Sequence, residues 1–183
     1  MACRSSSAAL SRRHGLRYAG DRNDASAWFD RLAGLATAGL AERSIWLGDF
    51  IKARALADKA WKLASHLRYE RDFIIATLLQ GRVALGLGDL TRADERLHHA
   101  LTRTRAVNVV EYELPTLISI AELKLAQGRP EEARTCLDDV WDSAERGRYP
   151  LDLADAYNVL ADIELAADAE PQAAQRCALS SDS

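Results

Sequence analysis

From residue 25 onward, apolar and polar positions alternate in long segments with helical spacing. Arg71 to Leu87 has apolar residues at Phe73, Ile74, Leu78, Leu85 and Leu87 and no internal proline, which predicts a helix buried along one side. Leu90 to Thr104 repeats the arrangement with Leu90, Ala93, Leu97, Ala100 and Leu101. Between the two, Gly88 can take the left-handed conformation that ends a helix, and Asp89 can accept the orphan N–H groups that open the next one. Gly48 with Asp49 offers the same pair. After Gly128 come Pro130, Glu131 and Glu132, a proline in the first turn and two carboxylates at the positive end of the helix dipole. The unit predicted is a helical hairpin.

That unit recurs every 40 residues. Gly48, Gly88 and Gly128 mark the turns, and Asp168 stands at the next place in the series. Five residues later comes Ala53, Ala93, Ala133 or Ala173, and seven residues earlier a small residue, Ala41, Gly81, Ala121 or Ala161. Further columns read Ala60, Ala100, Val140 and Ile45, Leu85, Leu125, Leu165. The repeats are placed at about 31–70, 71–110, 111–150 and 151–180, with a turn near Asp168 and a fourth second helix starting near Glu170. Gly81 with Ala93, and Ala121 with Ala133, are expected where the antiparallel helices cross, because helix separation follows side-chain size at the contact. The fold class expected is all-α, a right-handed superhelix (α-solenoid) of about four such hairpins.

Composition narrows the picture. Of 183 residues, 48% are apolar and 28% charged, too apolar for disorder along most of the length. The formal charge of −3 gives no electrostatic footprint for nucleic acid or an anionic membrane. The longest mostly apolar stretch, Phe73 to Leu79, is far too short to span a bilayer. Residues 1–24 carry five arginines against two aspartates, a net of +3, which leaves −6 for the remainder; this segment is expected to be a disordered basic tail, followed by the repeat domain over 25–180 and a short tail at 181–183. Three cysteines without a close pair (Cys3, Cys136, Cys177) suit inert thiols in a reducing compartment, and a cytoplasmic location is expected.

No nucleophile elbow, His-Glu-x-x-His or Cys-x-x-Cys is present, and no glycine is followed by Lys-Ser or Lys-Thr. Asp94 with His98, or Glu95 with His99, would supply two metal ligands at most, and these read as surface helix pairs. Trp28, Trp46, Trp61 and Trp141 read as packing residues. The expectation is a non-enzymatic chain with no catalytic, metal or cofactor site.

The column of small residue, Gly-Asp, Ala and Ala at Gly81, Gly88-Asp89, Ala93 and Ala100 resembles the tetratricopeptide repeat (TPR), over about residues 31–180. The segments ALGLGDLTRADERLHHAL, AQGRPEEARTCLDDVWDSAERG and YPLDLADAYNVLADIE are similar to the extended MalT-like repeats of bacterial signal-transducing NTPases and transcription regulators. The resemblance implies a groove lined by the first helix of each hairpin, with columns Ala38, Leu78, Ile118, Asn158 and Glu42, Arg82, Glu122, Asp162. That groove is acidic with one arginine and suits a basic or mixed-charge peptide or protein. The function implied is a protein–protein interaction module; the alternative is a sensory fragment of a larger signalling ATPase or MalT-like regulator. The fourth hairpin reads as cut short, so self-association through that end is also expected.

Overall fold

A computed structural model describes the backbone of residues 17–181 apart from 68, 145 and 146, and the side chains of residues 26–167 with the same exceptions. The described residues form seven helices and no strand: α1 (Arg17–Trp46), α2 (Phe50–Leu67), α3 (Glu70–Gly86), α4 (Leu90–Val107), α5 (Val110–Ala126), α6 (Pro130–Ala144) and α7 (Pro150–Ser181). Helices α3 and α5 begin 40 residues apart, as do α2, α4 and α6, so the sequence period is also the structural period.

The turns inside the three hairpins share one geometry. Gly48, Gly88 and Gly128 have φ of 73°, 77° and 73°, the left-handed region that costs glycine little. Around Gly88, the Asp89 N–H donates to the Ala84 carbonyl and the Gly88 N–H to the Leu85 carbonyl, both at 2.9 Å. This is the Schellman pair that satisfies the last carbonyls of α3. The same bonds run from Asp49 to Ser44 and Gly48 to Ile45, and from Arg129 to Lys124 and Gly128 to Leu125. Asp49 and Asp89 then cap the following helices by accepting from the Lys52 and Arg92 N–H groups at 3.1 and 3.2 Å. Between the second and third hairpins, Asn108 takes φ 55°, and Val109 and Asn108 donate to Thr104 and Arg105 in the same pattern.

Packing follows the columns. Ala41, Ala53, Ala93, Ala121 and Ala133 are fully buried. A Cβ on Gly81 would lie 2.6 Å from Leu97 Cδ2 and 2.7 Å from its Cγ, so any side chain there would force Leu97 to shift. Gly81 therefore faces Leu97, and the close crossing is made by a glycine under a leucine. Three apolar clusters result, each shared between one hairpin and the first helix of the next, for example Leu114, Leu137, Val140 and Ile163. Among the described residues, close backbone packing runs between chain neighbours and along the series α1, α3, α5, α7, while α2, α4 and α6 reach one another through long side chains, Arg92 to Asp58 at 3.9 Å and Arg105 to Asp139 at 3.2 Å. The odd-numbered helices thus form one packed layer, and the even-numbered helices lie behind it, linked by ion pairs rather than by close packing.

Two expectations change. Helix α1 starts at Arg17, so the last part of the basic segment is helical; residues 1–16 lie outside the described residues. The fourth copy is not a hairpin, because α7 continues without a turn through Asp168. An aspartate pays for the left-handed conformation that glycine adopts freely, so this place lacks the residue that ends the other first helices. No helix among the described residues is long and apolar enough to cross a membrane.

Candidate partner-binding groove

The packed layer of odd helices carries two adjoining cavities of about 490 and 460 Å³, which share Trp46, Arg82, Pro115 and Asp155. Residues of α1 and α7 line them together with those of α3 and α5, so the outer two helices wall a groove whose floor is the inner two. All seven residues singled out from the sequence lie on it: Glu42, Leu78 and Arg82 in one cavity, and Ile118, Glu122, Asn158 and Asp162 in the other, which Arg82 also lines. Leu78 and Ile118 are buried floor residues, while Glu42, Glu122, Asn158 and Asp162 are exposed.

Charge in the groove is dominated by carboxylates. Arg82 Nη1 donates to Glu42 Oε1 at 3.4 Å. Glu122 is open along the groove but has protein on most sides, and this desolvation pushes its carboxyl pKa up. Arg82 opposes the rise, and Asp155 and Asp162 add to it. Asp152 is likewise raised, by burial first and then by Asp155. At the rim, Arg71 pairs with Glu111 and lies 5.8 Å from the centre of the Tyr112 ring.

Sequence reasoning missed Trp46, Tyr112, Pro115, Leu151, Asp152 and Asp155. Trp46 is 75% exposed and Leu151 80% exposed, so the groove offers apolar side chains to solvent between its carboxylates. Trp46 lies one helical turn beyond Glu42, a spacing that would have placed it on the same face. Pro115 sits inside α5, where it removes the N–H that would bond the Glu111 carbonyl.

The other singled-out residues lie elsewhere. Trp28 is exposed rather than packed, as is Trp46. Trp61 packs on Phe73 with ring centres 5.7 Å apart, and Trp141 on Tyr157 at 4.9 Å. His98 Nδ1 stands 3.5 Å from Asp94 Oδ1, which Lys124 Nζ also approaches at 3.8 Å. His99 packs edge-on against Phe73, 5.9 Å between ring centres. Cys136 is half-buried and its thiol pKa is raised, chiefly by desolvation. The side chains of Cys3 and Cys177 lie outside the described residues. Comparison with protein-family models and with curated proteins returned no match to this chain.

Proposed function

We propose that the chain is a non-catalytic TPR-like interaction module, a right-handed superhelical array of hairpins that binds a basic, partly apolar peptide or protein segment along the groove of α1, α3, α5 and α7. One observation carries the reading: the columns Glu42–Arg82–Glu122–Asp162 and Leu78–Ile118–Asn158 line adjoining cavities with exposed Trp46 and Leu151 between them. Exposed apolar side chains flanked by carboxylates complement a segment that alternates basic and apolar residues. The repeated segments similar to MalT-like arrays favour a second reading, in which the same groove serves as the sensor of a larger regulator. Self-association loses its original premise, since α7 is one helix; its remaining support is the exposed Tyr157 and Leu165 on that helix.

The test is selection of displayed random peptides on the full chain, followed by anisotropy titration of the recovered peptides. Expected are Lys- and Arg-containing peptides with interspersed apolar residues, whose binding weakens with salt and falls at least about tenfold in Glu122→Lys or Asp155→Lys. Recovered peptides that bind both variants as well as the parent protein overturn the assignment of the groove.

A further inference from the structure

A third cavity, of about 260 Å³, lies away from the groove, between α2, α3 and α4, where the first hairpin meets the second. Its apolar wall includes Ala57, Val83 and Ala84. Gln80 reaches into it and is only 7% exposed. Asp58 can only accept, so the Gln80 atom facing it is the amide nitrogen, and Nε2 donates to Asp58 Oδ1 at 2.6 Å. The amide oxygen therefore points away from Asp58. Gln80 Oε1 is buried and has no hydrogen-bond partner among the described residues.

An orphaned buried acceptor is a cost that a fold normally avoids. Packing does not demand it here, because the next repeat has Ile120 at the corresponding place, 2% exposed. One charge beside Gln80 is also open to a ligand. Arg54 lines the cavity without an ion pair among the described residues, whereas Arg92 pairs with Asp58 at 3.9 Å. At the corresponding junction one repeat on, Asp94 stands in Arg54's place and pairs with Lys124 at 3.8 Å. The polar set at the first junction thus combines an unpaired acceptor, the carboxylates of Asp58 and Asp89 and two guanidinium groups against an apolar wall.

We infer that this cavity binds a small zwitterion with an apolar body, the chemical class of a free aliphatic α-amino acid. The ammonium group donates to Gln80 Oε1 and Asp58. The carboxylate takes the guanidinium of Arg54, and the aliphatic chain lies against Ala57, Val83 and Ala84. The volume admits one such molecule.

The probe is L-leucine, titrated into the full chain by calorimetry and by saturation-transfer NMR, beside L-leucinamide, which lacks the carboxylate, and 4-methylpentanoate, which lacks the ammonium. Saturable leucine binding is expected, weaker by about tenfold or more for each analogue, since each loses one charge-assisted contact. Gln80→Ile, which installs the next repeat's residue, is expected to keep or raise the melting temperature and to lose leucine binding. Arg54→Ala, at the solvent edge, keeps the proposal testable if Gln80→Ile does not fold: it should erase the advantage of leucine over leucinamide. Glu122→Lys, in the groove, should leave leucine binding unchanged. Absence of saturable leucine binding, or parent-like discrimination in Arg54→Ala, overturns the proposal.

Discussion

Arg82 lies one repeat from Glu42 and one repeat from Glu122, and it donates to Glu42 Oε1 at 3.4 Å while acting on Glu122 through its charge alone. A single cation thus serves two acids of its column. With Arg82 turned to Glu42, Glu122 is left with the desolvation of the groove and the repulsion of Asp155 and Asp162.

This arrangement sets the sign of a pH effect. A carboxyl group whose pKa rises above its ordinary 4.5 on folding makes the fold lose stability as pH climbs from 4.5 through the raised value. Glu122→Gln removes that loss. The variant should melt higher than the parent at neutral pH, and the gain should shrink as pH falls toward 4.5, in melts followed by circular dichroism across that range.

The buried crossing of α3 and α4 sets a steric test. Ala93 is fully buried, and Ala93→Leu should cost about 1–3 kcal/mol through overpacking, a fall of roughly 2–4 °C in melting temperature for each kcal/mol. The exposed Ala55 on α2 is the control, and Ala55→Leu should leave the melt within error of the parent. Equal melting of the two variants would place Ala93 outside the crossing.

Gly86 and Gly88 need to be glycine for different reasons. At Gly88 a Cβ meets nothing, but φ is 77°, so Gly88→Ala should cost about 1–2 kcal/mol from the left-handed backbone alone. Gly88→Asn should recover part of this, as Asn108 does at φ 55°. At Gly86 a Cβ would overlap the Phe50 ring, so the lesion is spatial: Gly86→Ala should be rescued by Phe50→Leu, whereas Gly88→Ala should not. Urea titrations of the single and double variants distinguish the two.

His99 provides a second pH test, of opposite sign to Glu122. Its imidazole pKa is lowered by desolvation, then by Arg103 and Arg96, against a weaker pull from Glu70. The folded chain thus binds this proton less readily than the unfolded chain, and stability falls as pH drops below the ordinary 6.5. His99→Gln should flatten the slope of melting temperature between that value and the lowered one. Glu70 contributes only at lower pH, where protonation through its own lowered pKa, set first by the Arg103 hydrogen bond, weakens the bond.

The period of 40 was legible because the turn needs one left-handed residue and glycine is the usual one, so three glycines marked three turns. The groove columns were legible for the same reason: a residue's place in the hairpin sets the face it occupies. Asp168 shows where this stops. It fills the glycine's place without glycine's backbone freedom, and α7 runs on through it. Trp46 was misread because a tryptophan is usually buried, and only the juxtaposition of α1 with α7 across the groove gives it an open place to stand. Gln80 could have been noticed as the polar member of a column that also holds Leu40 and Ile120, but the unpaired oxygen depends on where Asp58 points.

The confinement of close packing to neighbouring helices and neighbouring hairpins gives the chain low contact order and only local support for each hairpin. Loss of one end then weakens the next hairpin without reaching the far one, so unfolding can proceed stepwise, as a zipper opens. Under an applied pull, such a chain lengthens in increments of one hairpin, and a molecule seated between α2, α3 and α4 acts as a rivet that delays the separation of the first pair from the rest.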